Sequence, residues 1–235
     1  MRLKVNKSLN FSKKSRSSRD IRFLIIHYTG MQSARVSMNR LKSPKSKVSC
    51  HYFIKRNGSI YRMVDDNKIA WHAGKSKWKN INNLNKNSIG IEIQNKGHLI
   101  RYQNFPKKQI LPLVKLIKIL MKKYKIKRCN ILGHSDIAPL RKLDPGEKFP
   151  WNFLSTRGTA IWYPQLKLEN NTLDPKTRRK KFFKNIYKIG YRFFNLSKKS
   201  KKDRMIIKAF QRRYLPKEVS GEITNKTLKI SQLLA

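Results

Sequence analysis

The stretch Ile21-Arg22-Phe23-Leu24-Ile25-Ile26 constrains this chain more than any other. It is short, rich in β-branched residues and almost continuously apolar, the pattern of a strand covered on both faces rather than of one with a wet face. Such a strand needs neighbours in a sheet and helices over it. The fold class it points to is α/β, a mixed central β-sheet flanked by helices. The run ends at His27, which puts an imidazole at a strand terminus, where the sites of such sheets collect.

The following residues supply the other layers. Residues 33–42 predict a short helix that fades at Ser43-Pro44, and His51 to Val64 reads as two strands around Asn57-Gly58, a strong hairpin signal. Asp65 to Asn87 is polar and Asn-rich, contains Trp71-His72-Ala73-Gly74, and reads as a long functional loop. Strand patterning returns in Ser88-Ile89-Gly90-Ile91-Glu92-Ile93. Residues 106–124 place Ile110, Leu113, Val114, Ile117, Leu120 and Met121 on one helical face, with Pro106 suited to the first turn. Asn130 to Gly133 reads as a short strand that delivers His134, and a Pro- and Gly-rich loop runs on to Trp151.

Four segments follow: a basic, extended lead-in over 1–20, a catalytic domain over 21–164, a polar linker over 165–180 and a helical module over 181–235. The module's apolar spacing predicts three helices, at 181–196, 204–214 and 224–234. Some 60 residues is near the lower limit for folding alone.

The charge is extreme, 56 Lys+Arg against 12 Asp+Glu for a net +44. Such a field favours polyanions. The lysines are spread through every segment alongside many Asn and Ile, as a biased genome would produce, so charge alone does not choose a substrate. The two cysteines, Cys50 and Cys129, lack metal-binding spacing and read as buried thiols. The basic N-terminus has no apolar region behind it, and no apolar run reaches membrane-spanning length. A cytosolic monomer is expected, with a periplasmic or wall-associated location as the alternative.

The chemistry gathers in the first domain, which holds all five histidines, 27, 51, 72, 98 and 134. His27 and His134 both end apolar strands, and Asp144 lies ten residues past His134. Two neutral imidazoles and one carboxylate would leave tetrahedral zinc one open position for water, whose pKa the metal lowers to about 7. Satisfied structural histidines are the commoner outcome, and spacing alone leaves both readings open. Glu92 is a carboxylate within an apolar strand of an acid-poor chain. It is either an edge-strand charge facing solvent or a general base. His51 is expected in the sheet and His98 on a loop.

Taken together, Ile25 to Met31, Ser49 to Ile54, Ala70 to Gly74, Ser88 to Ile93, and Gly133 to Pro139 followed by Arg141 to Gly146 strongly resemble the N-acetylmuramoyl-L-alanine amidases of the second amidase family. The resemblance spans roughly residues 9–164 and implies Zn2+ held by His27, His134 and Asp144. It implies Glu92 as the acidic catalytic residue and Lys142 as the cation that stabilises an oxyanion. Some relatives carry a tyrosine where this chain has Cys50, which places it with the glutamate-using branch. The substrate implied is peptidoglycan or a muropeptide, cut between N-acetylmuramic (or 1,6-anhydro-N-acetylmuramic) acid and L-alanine. His72 becomes a candidate substrate contact, and Asn95 and Arg141 candidates for holding stem-peptide carboxylates. Ile206 to Tyr214 with Ser220 to Leu228 is similar to a three-helix peptidoglycan-binding domain, although Ser220 stands where that family usually has Asp. Two other classes, a non-catalytic peptidoglycan receptor and a nucleic-acid-binding protein, fit less well. The ligand set is complete, and no specific nucleic-acid reading motif is present.

Overall fold

A computed structural model describes residues 3–167 and 173–235. The elements in chain order are β1 (Leu3–Val5), β2 (Phe11–Ser15), β3 (Phe23–Tyr28), α1 (Ala34–Lys42), β4 (Tyr52–Ile54), β5 (Ile60–Arg62), β6 (Lys68–Ala70), β7 (Lys77–Trp78), β8 (Ile81–Asn82), β9 (Ser88–Ile93), α2 (Lys107–Tyr124), β10 (Ile131–Gly133), α3 (His134–Ile137), α4 (Trp151–Thr156), α5 (Pro175–Ile189), α6 (Asp203–Tyr214) and α7 (Asn225–Leu234). The main sheet has the order β1-β5-β4-β9-β3-β10, parallel throughout except for the β4-β5 hairpin. The mixed α/β sheet expected from the apolar runs is therefore the observed one.

Strand alternation splits the sheet into two chemically distinct faces. Leu24 and Ile26 of β3 join Ile89, Ile91 and Ile93 of β9 under α2, where Ile110, Leu113 and Ile117 complete the core. Phe23 and Ile25 face the other way, into a second core with Phe182, Phe183, Ile206, Phe210 and Leu228 of the C-terminal helices. His27 on β3 and Ser88, Gly90 and Glu92 on β9 share the parity of that second face, so the polar positions of the two central strands gather on one side.

The lead-in is extended, yet it is built into the fold. β1 extends the main sheet and β2 pairs antiparallel with β6. Arg16 is buried, and donates to the carbonyls of Asp66 at 2.9 Å, Asn85 at 3.1 Å, Lys86 at 2.8 Å and Ser88 at 2.6 Å. A single guanidinium thus pins both ends of the 65–87 segment, which is not one long loop as its polarity suggests, since pairing with β2 and within a hairpin makes β6, β7 and β8 of it.

The C-terminal region forms three helices, as the periodicity predicts, with one shift in register. The first starts at Pro175, capped by Asp174, whose carboxylate accepts from the backbone of Lys176 and Thr177. It ends at Ile189 instead of 196 because Gly190 takes φ +143° against Trp78, where a Cβ would stand 2.3 Å from the indole. Part of the expected linker, residues 168–172, lies outside the described residues. The three helices share their core with the sheet, as befits a module too small to bury a sufficient core alone. Among the described residues no helix is long and apolar enough to cross a membrane. Cys50 is buried as expected, whereas Cys129 is exposed, because it sits on the turn after α2 with its side chain beside Asn130.

Candidate active site

Three segments deliver one cluster. β3 ends in His27, β10 runs directly into His134 at the start of α3, and the loop that follows returns Asp144. Their potential ligand atoms lie within 4.8 Å of one another, and all three residues are buried. His27 Nδ1 is 2.9 Å from His134 Nδ1, and Asp144 Oδ2 is 3.0 Å from each.

The surrounding hydrogen bonds assign the protons. Ala73 O lies 3.0 Å from His134 Nε2, and a carbonyl can only accept, so Nε2 carries the proton and Nδ1 of the neutral ring is bare. Behind His27, Ser88 Oγ donates to Leu84 O at 2.6 Å, which leaves that hydroxyl to accept from His72 Nε2 at 3.3 Å. His72 Nδ1 then accepts from His27 Nε2 at 3.1 Å, and His27 Nδ1 is bare as well. Two imidazole lone pairs and a carboxylate oxygen thus converge with no proton to share. A metal cation would satisfy all three at once. Ligands about 2.0–2.1 Å from a tetrahedral zinc are about 3.3 Å apart, so two nitrogens and one oxygen at this spacing fit it with little adjustment.

Electrostatics agree with the geometry. Burial, the His134 charge and Lys142 push His27 down to about 4, against a smaller upward pull from Asp144, so the ring is neutral and ready to ligate at pH 7. Burial alone would raise the Asp144 carboxyl. A proton on either neighbouring imidazole would be shared with this carboxylate, which favours its charged form enough to hold the carboxyl well below the usual carboxylate range.

Glu92 stands beside His27 in the β3-β9 register and beside Phe53 in the β4-β9 register, so its strand is interior and the edge-strand alternative is excluded. Its Oε2 is sealed from solvent and has no hydrogen-bond partner. Burial, reinforced by the Asp144 charge and opposed by Lys142, pushes its carboxyl up to about 8. Lys142 is half-buried, and its charge acts on both His27 and Glu92.

The three expected substrate contacts all have partners within the protein. His72 is buried beneath His27, and both its ring nitrogens are engaged, because Gly90 has no side chain to keep it away from the strand. Asn95 is buried too, and its amide bonds Gln103 O at 2.8 Å and Gly97 N at 3.1 Å, shaping its own loop. Arg141 is exposed, and it donates through Nε to Lys75 O at 3.0 Å and through Nη2 to Ala73 O, the same carbonyl that receives His134, with Nη2 3.2 Å from His134 Nε2. His51 lies just before β4, accepting from Gly90 N at 3.0 Å.

A neighbouring cluster escaped the sequence reading. His98 bonds Tyr28 Oη at 2.9 Å and Glu147 at 3.1 Å, and stacks on Tyr102 with ring centroids 4.1 Å apart. Tyr102 in turn donates to Pro145 O at 2.7 Å, next to ligand Asp144. The available signal was Glu147, one more rare acid, three residues past Asp144.

Comparison with known proteins bears on the same residues. A family described as N-acetylmuramoyl-L-alanine amidase matches residues 17–147. N-acetylmuramoyl-L-alanine amidase AmiD of Escherichia coli (strain K12) is 32% identical over 233 residues, covering 91% of this chain and 82% of AmiD. The chain belongs to this amidase family. A second relative of the amidase, 1,6-anhydro-N-acetylmuramyl-L-alanine amidase AmpD of Haemophilus influenzae, is 42% identical over 106 residues, 45% of this chain and 55% of AmpD. Among solved structures, E. coli AmiD in complex with the substrate anhydro-N-acetylmuramic acid-L-Ala-D-gamma-Glu-L-Lys superposes with a TM-score of 0.81 at 28% identity, covering 95% of this amidase and 91% of AmiD. AmpDh3 from Pseudomonas aeruginosa in complex with anhydromuramic pentapeptide does so at 0.80 and 26%, covering 97% and 96%. The likeness to AmiD and AmpDh3 extends over the C-terminal helices as well as the sheet.

Proposed function

We propose that this amidase hydrolyses the bond between the lactyl group of N-acetylmuramic or 1,6-anhydro-N-acetylmuramic acid and the L-alanine of a stem peptide, with zinc held by His27, His134 and Asp144. The observation that carries the reading is the convergence of three proton-free acceptors, 2.9–3.0 Å apart, on the face that also holds Glu92. Two solved relatives are named as complexes with anhydro-muropeptides, which supports the substrate class.

When bound, zinc supplies Lewis acidity and makes water at its open position acidic enough to react at neutral pH. The chain's own groups do the rest. Glu92, partly exposed and with its Oε2 unpartnered, takes the proton of the attacking water and passes it to the departing alanine nitrogen. Burial pushes this carboxyl up towards 8, so once ionised it is a stronger base than an ordinary carboxylate. Lys142 faces the negative charge that develops on the carbonyl oxygen. His72 and Ala73 O keep the ligand imidazoles in the required tautomers.

The test is mass-spectrometric. Incubated with anhydro-N-acetylmuramyl peptides, the purified protein is expected to release stem peptide with a free N-terminal alanine, and to lose that activity with a chelator or with His134→Ala. Release undiminished by both treatments would remove zinc from the reaction; no release with zinc present would remove the substrate.

A further inference from the structure

The C-terminal helices reach the metal ligands through one buried ion pair. α3 is a single turn, His134–Ile137, too short to persist without outside support. Both ligands beyond β3 depend on it. His134 is its first residue, and Ser135 N donates to the backbone carbonyl of Asp144 at 2.8 Å. The side chain that fixes the turn is Asp136. Its Oδ2 accepts from Gly133 N at 2.8 Å, closing the turn's own start. Among the described residues the other side-chain bonds to Asp136 come from the C-terminal module: Tyr191 Oη donates to Oδ1 at 2.6 Å, and Arg213 Nη1 to Oδ2 at 2.5 Å. Arg213 Nη2 also donates to Ile131 O on β10 at 3.0 Å, and its guanidinium lies 4.1 Å over the Trp151 ring.

Asp136 is 1% exposed and Arg213 2%. Stripping both charges of water is costly, and apolar residues of similar volume would hold two layers together as well or better. What the pair adds is direction. A fork bonded to strand β10 with one hand and to the α3 turn with the other fixes the angle at which the chain leaves the strand, and therefore where His134 and Asp144 stand.

We propose that Arg213, seconded by Tyr191, is a positioning residue for the metal ligands, and that the C-terminal module serves the reaction by holding the α3 turn in ligating geometry. This rests on the zinc reading above. It holds whether or not the same module also binds cell wall.

Zinc affinity of the full-length protein, measured by competition with a chromophoric chelator, tests it. Each variant is assayed at a temperature where its far-UV circular dichroism is native. Tyr191→Phe, which removes one hydroxyl, keeps the test open if Arg213→Lys does not fold. Arg213→Lys keeps the charge and loses the fork, and is expected to weaken zinc binding about 10-fold, with Tyr191→Phe weaker than wild type by a smaller factor. The double change Asp136→Asn with Arg213→Met leaves no unpaired charge, so it should melt above Arg213→Met alone yet keep the weakened affinity. Folded variants that bind zinc as tightly as wild type would overturn the proposal and leave the zinc reading standing. A wild-type protein that binds no zinc would overturn both.

Discussion

Replacing Gly90 by alanine should damage this protein, although the same change in an ordinary strand would help it. Gly90 lies inside β9, where glycine weakens a strand, and removing chain entropy by Gly→Ala is typically worth about 0.4–1 kcal/mol of stability. Here the added methyl would stand 2.3 Å from His72 Cγ and 2.6 Å from its Cδ2 and Nδ1. The ring has nowhere to go, held by His27 on one nitrogen and Ser88 on the other, with the His51 ring 5.6 Å away. Overpacking of this kind costs about 1–3 kcal/mol. Pushing His72 aside also strands the His27 Nε2 proton in a buried place, about 1–3 kcal/mol more. Net of the entropy gain, the variant should be less stable by about 1–6 kcal/mol, which in a chain of this size lowers the melting temperature by about 2–20 °C. Its zinc affinity should fall about 10–100-fold, because His27 loses the partner that fixes its tautomer. Calorimetric melts with chelator and with zinc separate the two effects: each tenfold loss of affinity removes about 1.4 kcal/mol from the stabilisation that zinc provides. A Gly90→Ala protein that melts at or above wild type and binds zinc equally well would refute the assignment of His72 as the partner of His27.

Three further outcomes follow from the same geometry. Glu92→Gln should lower kcat about 10²–10⁴-fold. In the metal-free protein it should also stabilise the fold, because a carboxyl raised from 4.5 to about 8 favours the folded state fully below pH 4.5 and loses that contribution as pH rises through 8. Urea melts at pH 9 should therefore find the variant more stable by about 2–4 kcal/mol, with the two proteins converging near pH 4; equal stability at both values would contradict the buried carboxyl. His51 and His27 sit at about 3 and 4, depressed by burial, so their contribution is intact above pH 6.5 and is lost as pH falls towards 3. Metal-free protein should weaken steadily across that window, and a flat profile between pH 6.5 and 4 would count against neutral buried imidazoles. Arg141→Ala should free the 73–75 loop and lower zinc affinity severalfold through Ala73 O, whereas loss confined to KM would restore Arg141 as a substrate contact.

Much of the site was legible because its signals are local. An apolar run ending in histidine marks a strand terminus, and acids are so scarce that Glu92 and Asp144 stood out. Helix α2 and the Asn57-Gly58 hairpin were written in period and turn chemistry. What the sequence did not disclose depends on contacts distant in sequence. Polar side chains in a loop near a site can face either substrate or protein; His72 and Asn95 are buried on other side chains and backbone, and the exposed Arg141 bonds the carbonyls of the 73–75 loop. The lead-in strands are short and polar, and exist through pairing with β5 and β6. The Arg213 and Asp136 pair joins residues 77 positions apart, and one arginine among 56 basic residues gives no sign of it.

A metal held by two imidazoles and a carboxylate is directly visible to X-ray absorption at the zinc edge. Purified protein reconstituted with one equivalent of zinc should show two nitrogen ligands and carboxylate oxygen at about 2.0–2.2 Å, and Asp144→Ala should lose the bound metal. Zinc that binds with sulfur in its shell, or that stays equally tight after Asp144→Ala, would contradict it.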